Sequence, residues 1–355
     1  MRELARLERG ATDECLLKSN QGRSDEISNE RDAQLVDRPI TRRAIPADAT
    51  ESVWTLADGH RVRRIDWPGA SHADAGDARG SILFFPGRGD HYEKYIESLE
   101  EWHRAGWRVT ASDWRGQAGS GRLGKDPLTG HIEDFAIWID DLAHLWAGWI
   151  EEVPGPHILV GHSMGGHLVT RALVEGRVAP DAVVLSAPML GFQTPPLPLF
   201  VLQGVAAMMA ALGDPTRPAW KWSEKPGELP EARKSLLTHD PERYGDEQFW
   251  RDTRPELAMG PASWRWVERG YASLRVLEEP GAMEQVDRPV LVLSTRIDKL
   301  VSHSANVRAA ERLPQSELVE FGAEAHHEIL REVDAVRDLA MGAIADFLDR
   351  VAPAR

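Results

Sequence analysis

The stretch His157-Ile158-Leu159-Val160-Gly161-His162-Ser163-Met164-Gly165-Gly166-His167-Leu168-Val169 decides how the rest of the chain is read. An apolar run leads into Gly-x-Ser-x-Gly, and a helix-like segment through Leu173 follows. Strand, tight turn and helix in that order put a serine at the tip of a strained bend, the geometry of a nucleophile elbow. Gly161 and Gly165 matter because a turn this sharp brings strand and helix backbones together and leaves no room for side chains. A helix beginning at Ser163 aims its free N–H groups and its positive dipole end at whatever reacts there.

Outward from the elbow, strands and helices alternate. Upstream, Glu51–Leu56 and His60–Asp66 flank Asp58-Gly59, a hairpin signal. Ser81–Phe85 reads as a buried strand, Tyr92–Ala105 as a helix, Arg108–Trp114 as a strand and Ile132–Glu152 as a helix. Downstream, Ala182–Ser186, Pro289–Ser294 and Glu317–Phe321 read as strands, with helices over His303–Leu313 and Val333–Val351. The pattern predicts an α/β protein, a mostly parallel central sheet with helices on both faces.

Two regions fall outside the alternation. Residues 1–44 are charged and irregular and are expected to be disordered or loosely docked. Residues 189–280, rich in Pro and Trp, lie between two core strands and are expected to form a helical cap. The core then comprises residues 45–188 and 281–352. Within the cap, the apolar run Leu197–Leu212 reads either as a lid helix lining an acyl pocket or as ordinary cap core.

The 355 residues suffice for one large domain or two small ones, and 42% hydrophobic with 28% charged residues describes a soluble globular protein. A formal net charge of −14 argues against nucleic acid as a partner. A single cysteine, Cys15, excludes an internal disulfide, and no apolar leader or bilayer-length run is present. A cytoplasmic location follows as the expectation, with peripheral membrane contact through the cap. No cofactor is implied, and His326-His327-Glu328 lacks the spacing of a metal site.

A serine hydroxyl needs a base within hydrogen-bond reach, and the base needs an acid that orients it. Asp298 follows the strand Val290–Ser294 and could reach the crevice at the strand ends. His326 and His327 follow the strand ending at Phe321, and position alone leaves either as the base. Two N–H groups should stabilise the oxyanion. Met164, next to the nucleophile, supplies one, and the loop Pro86-Gly87-Arg88-Gly89-Asp90-His91 should supply the other. Asp113 with Arg115 reads as a structural loop pair, and His162 and His167 as local packing residues.

Taken together these motifs resemble the α/β-hydrolase superfamily, in particular its lysophospholipase and monoacylglycerol-lipase-like serine hydrolases, over roughly residues 45–350. Gly-His-Ser-Met-Gly-Gly at 161–166 matches in full. Residues 86–91 correspond to a His-Gly-x-Gly-Glu-His loop, with Pro86 for histidine, and place the second oxyanion donor on Arg88. Residues 113–120 resemble an Asp-x-Arg-Gly-x-Gly-x-Ser loop, with Ala118 for glycine. The acid motif resembles Gly-x-x-Asp with Thr295 for glycine, and the base motif resembles Gly-Ala-x-His-Glu-Ile-Leu with one residue added, which selects His327.

The resemblance implies an α/β-hydrolase fold and a serine hydrolase with Ser163 as nucleophile, His327 as base and Asp298 as its orienting acid. The expected substrate is a lipophilic carboxylic ester, monoacylglycerol- or lysophospholipid-like. The same residues would serve a lactonase, thioesterase or acyltransferase. A non-catalytic small-molecule-binding protein on this scaffold is the reading from another class.

Overall fold

The computed structural model describes residues 39–68, 78–193, 197–221 and 231–353. Eight strands form one sheet: β1 (Thr50–Thr55), β2 (Arg61–Trp67), β3 (Gly80–Phe85), β4 (Trp107–Ser112), β5 (His157–His162), β6 (Ala182–Ser186), β7 (Val290–Thr295) and β8 (Ser316–Phe321). Their spatial order is β1-β2-β4-β3-β5-β6-β7-β8. β1 and β2 form the predicted hairpin and β2 joins β4 antiparallel; every later pairing is parallel. This is the α/β-hydrolase fold that the motifs implied.

Nine α-helices are described: α1 (Ile96–Arg104), α2 (Phe135–Glu152), α3 (Met164–Val174), α4 (Leu199–Ala211), α5 (Glu231–Leu237), α6 (Pro241–Thr253), α7 (Trp264–Glu278), α8 (His303–Arg312) and α9 (Asp334–Val351). Alternate residues of the central strands feed two apolar cores. Leu83, Phe85, Leu159, Val183 and Val292 pack with α2 and α3 on one face. Ile82, Phe84, Val160, Val184 and Leu291 pack with α1 and α9 on the other. Burial on both faces explains why these strands read as continuous apolar runs.

Three predicted boundaries shift. The helix expected from Ile132 starts at Phe135, because Asp134 is extended and its carboxylate accepts from Ala136 N at 2.9 Å, an N-cap. The strand expected to end at Trp114 stops at Ser112, and Asp113 and Trp114 belong to the following loop. The segment expected as one helix from Tyr92 begins with a 3₁₀ turn, Tyr92–Tyr95, before α1.

Helices α4 to α7 all fall between β6 and β7. Residues 1–38 of the expected N-terminal extension lie outside the described residues, as does Cys15. Arg42 and Arg43 ion-pair with Asp246 on α6 at 2.7 and 2.6 Å. No helix among the described residues is long and apolar enough to cross a membrane.

Candidate active site

Ser163 sits between β5 and α3 with φ +51° and ψ −118°, a strained conformation for a side-chain-bearing residue. The crowding that enforces it is backbone on backbone. A Cβ on Gly161 would lie 2.7 Å from the Gly165 and Gly166 backbone, and one on Gly165 would lie 2.5 Å from Phe85 O. The turn therefore presses the elbow against the end of β3, where the oxyanion loop starts.

His327 Nε2 lies 2.9 Å from Ser163 Oγ, and its Nδ1 lies 2.7 Å from Asp298 Oδ2. An ionised carboxylate only accepts, so Nδ1 carries the proton and Nε2 is free to accept from the serine hydroxyl. The other Asp298 oxygen accepts from Leu300 N at 2.8 Å and Val301 N at 3.0 Å. Burial opposes the charged Asp298, but the His327 imidazole and those N–H groups hold its carboxyl below the usual range. Burial likewise opposes an imidazolium at His327, and the Asp298 carboxylate outweighs it, holding His327 above the ordinary imidazole value.

The structure brings together Ser163, Asp298 and His327, and it separates His326 from them. The His326 ring stacks on His239 with centroids 3.8 Å apart. Glu328 turns to Lys94 at 2.6 Å and to Arg331. The side chains of His326, His327 and Glu328 thus diverge rather than enclose a metal site. His162 packs with its ring 4.9 Å from that of His327 and donates Nδ1–H to Ser186 O at 3.1 Å. Burial, aided by the charge of His327, pulls His162 down to about 4, so it stays neutral beside the base. His167 is buried against Ser273 Oγ at 2.6 Å.

The backbone N–H of Met164 opens α3, and no group among the described residues accepts from it or from the N–H of Arg88. A Cβ on Gly87 would approach Ser163 Cβ to 3.1 Å, so a side chain there would push the loop or the serine aside by a few tenths of an ångström. Two residues that the sequence did not single out brace this loop. Trp114 Nε1 donates to Pro86 O at 2.9 Å, and Gln117 Oε1 accepts from Gly89 N at 2.9 Å. Both come from the 113–120 loop, which ties that motif to the oxyanion loop.

Asp113 and Arg115 are not a pair with each other, contrary to expectation. Arg115 binds Asp141 and Asp58 at 2.7 and 2.6 Å. Asp113 accepts from Tyr92 N at 3.2 Å, and burial pushes its carboxyl up to about 8 against the pull of Arg63. Thr295, where the motif has glycine, has a structural reason: its hydroxyl lies 2.6 Å from Ala325 O and 3.2 Å from Gly322 O. It links the strand that leads to Asp298 to the loop that carries His327.

Ser163 and His327 open on a cavity of about 500 Å³. Met189, Phe192, Leu236, Met259, Trp266 and Val301 give it apolar walls. Helix α5 closes one side, and the carbonyls of Leu236 and Leu237 accept from His327 N at 3.3 Å and Glu328 N at 2.8 Å. Among the described side chains of the run Leu197–Leu212, none lines this cavity. Ala206 of α4 buries against Tyr271 and Leu274 of α7, while Phe200, Met208 and Leu212 are 66%, 54% and 62% exposed. Neither alternative for the run holds for the whole of it: one stripe is cap core and the rest faces outward.

Residues 76–334 match the family model described as Serine aminopeptidase, S33. The chain is 32% identical over 289 residues to lysophospholipase L2 of Escherichia coli strain K12, covering 76% of this chain and 80% of that protein. In structure it is similar to a soluble variant of monoglyceride lipase from Saccharomyces cerevisiae, in complex with a substrate analog. That match has a TM-score of 0.66 and 16% identity, over 88% of this chain and 98% of the other. The monoacylglycerol lipase of Paleococcus ferrophilus superposes with a TM-score of 0.58 and 23% identity, over 81% and 98% of the two chains.

Proposed function

Since this chain belongs to the hydrolase family described as Serine aminopeptidase, S33, we propose that Ser163, His327 and Asp298 are the catalytic residues of its carboxylic ester hydrolysis. One observation carries the reading: an unbroken hydrogen-bond line from Ser163 Oγ through His327 to Asp298, opening on an apolar cavity.

Ser163 Oγ attacks the ester carbonyl as His327 Nε2 takes its proton, and the backbone N–H groups of Arg88 and Met164 stabilise the tetrahedral oxyanion. His327 then returns the proton to the departing alcohol, leaving an acyl-serine. Water, deprotonated by the same imidazole, attacks that acyl carbon; the carboxylic acid leaves and Ser163 regains its proton. Asp298 keeps the imidazole in the working tautomer and stabilises its charged form.

Helices α4 to α7, within the expected cap of residues 189–280, act as the cap, and the apolar walls of the cavity fit a lipophilic acyl chain such as that of a monoacylglycerol or a lysophospholipid. The outward apolar side of α4 lies on the lipid surface from which such a substrate comes. No basic cluster accompanies that side and the net charge is −14, so contact relies on apolar burial rather than attraction to anionic lipid.

Ser163→Ala tests the assignment. Hydrolysis of p-nitrophenyl butyrate should fall by at least about 10⁴-fold with an unchanged circular dichroism spectrum, and a fluorophosphonate should label the wild type alone. A folded Ser163→Ala protein with full activity would overturn it.

A further inference from the structure

The hydrolysis above uses the backbone of Arg88 and leaves its side chain without a role. That side chain runs along the cavity wall into the cap. Nη2 donates to Gly260 O at 2.7 Å, and the guanidinium carbon lies 5.5 and 5.4 Å from the ring centroids of Trp220 and Trp266. Nε is buried with no partner. Among the described residues no carboxylate pairs with this guanidinium. Burial, helped by the charge of Arg233, pulls Arg88 down to about 10.

Two other cations beside the cavity are neutralised. Lys94 Nζ lies 2.8, 3.3 and 2.6 Å from Asp90, Glu247 and Glu328, and Arg233 pairs with Glu247 at 2.8 Å. Arg88 is different: it is half-buried on the cavity wall, and among the described residues Gly260 O is its one hydrogen-bond partner and no carboxylate meets it. Anchoring the cap at Gly260 O requires a single donor and no charge at all. A cation partly withdrawn from water and facing no carboxylate gains from a ligand that brings an anion. The two indole rings flank the guanidinium carbon, and a guanidinium with unspent N–H groups at a cavity wall is suited to phosphate.

We propose that the Arg88 side chain binds the phosphate of the substrate's alcohol portion, so that the site favours a lysophospholipid over a neutral monoacylglycerol. The proposal rests on the ester-hydrolase reading above. Position supports it. The backbone N–H of Arg88 meets the ester oxyanion and its guanidinium sits one side-chain length further along the same wall. In a lysophospholipid the phosphate lies one glycerol unit from the scissile carbonyl, a comparable reach. The carboxylate product stays bonded or adjacent to Ser163 Oγ, so it is not the anion for which the guanidinium is placed.

The test compares lauroyl lysophosphatidylcholine with monolauroylglycerol, both below their micelle concentrations, on wild type, Arg88→Met and Arg88→Lys. In Arg88→Met the ratio of kcat/KM for the phospholipid to that for the glyceride should fall roughly 10-fold or more, mainly through KM. Arg88→Lys, which keeps the charge but loses the fork, should recover part of the ratio. In the wild type, glycerol 3-phosphate should compete against p-nitrophenyl butyrate, and glycerol or inorganic phosphate at the same concentration should not. An equal fall on both lipids would assign Arg88 a purely structural role and overturn the proposal. So would an unchanged ratio, or inhibition by inorganic phosphate as strong as by glycerol 3-phosphate. A wild type that cleaves neither lipid nor p-nitrophenyl butyrate would instead defeat the ester-hydrolase reading.

Discussion

Two parts of the segment between β6 and β7 are attached to the molecule in opposite ways. Helices α5 and α6 are bound to it by buried polar contacts. Lys94 bridges Asp90, Glu328 and the α6 residue Glu247, and Arg243 of α6 ion-pairs with Glu97 at 2.7 Å. Carbonyls at the end of α5 accept from the backbone of His327 and Glu328. Helix α4 has no such seam. It rests on α7 through small residues such as Ala206, with apolar side chains outermost. The first half of this contrast borders the proposed reaction site, because it holds the loop that carries His327. The second half is an exposed apolar surface away from the cavity.

Asp298→Asn strikes next to the polar seam, at the carboxylate that pairs with His327. The amide keeps the volume but gives up the charge and can favour the wrong imidazole tautomer, so kcat/KM should fall roughly 10³- to 10⁴-fold. The pH profile adds a sign. His327 must be neutral to accept a proton, and its pKa is raised, so wild-type activity falls with pH from above the ordinary imidazole value. Removing the Asp298 charge removes the main raising influence, so the acid limb should move to lower pH as the plateau drops. An acid limb that stays put would show that Asp298 does not set the charge of the base.

Lys94→Met tests whether the seam is structural cement. It leaves the carboxylates of Asp90, Glu247 and Glu328 buried with fewer cations, although Arg331, Arg233 and Arg251 still face the cluster. Breaking one member of a buried ionic group costs about 3–5 kcal/mol. Chemical denaturation should show a loss of that order, read as a lower midpoint. A loss under about 1 kcal/mol would mean that the arginines alone neutralise the cluster and that Lys94 is dispensable.

How much of this was legible follows from where each signal is written. The elbow turn, the strands around it and the place of Ser163 at its tip were readable because local chemistry fixes them. A Gly-x-Ser-x-Gly turn has backbone contacts too tight for side chains, and strands buried on both faces must be apolar throughout. Asp298 and His327 were readable as strand-end residues in the right chain order, whereas the choice of His327 over His326 came from the family resemblance. The stacking of His326 on His239, which settles where that ring goes, joins residues far apart in the chain. The roles of Gln117, Trp114 and Thr295 were illegible for the same reason: each is a single hydrogen bond between distant loops. Arg115 and Asp113 were readable as structural, but their partners, Asp58, Asp141 and Arg63, are set by tertiary packing. The cap helix α4 was visible as an apolar run, yet composition cannot say which side of a helix meets protein, and only its small alanines betray the buried stripe.

The outer helix gives the mildest expected effect and the cleanest contrast with the seam. Phe200→Ser with Met208→Ser removes two large apolar side chains that are mostly exposed and do not line the cavity. Each exposed hydrophobe that enters a lipid interface contributes on the order of 1–2 kcal/mol of binding. Cosedimentation with zwitterionic phosphatidylcholine vesicles should therefore weaken several-fold or more. Hydrolysis of p-nitrophenyl butyrate, which needs no interface, should stay within about twofold, and the denaturation midpoint should hardly move because surface substitutions of this kind cost little. Unchanged vesicle binding would leave α4 as an apolar surface without a lipid role. A large loss on the soluble ester would break the contrast itself, because it would mean that the outer helix reaches the reaction site through the cap after all.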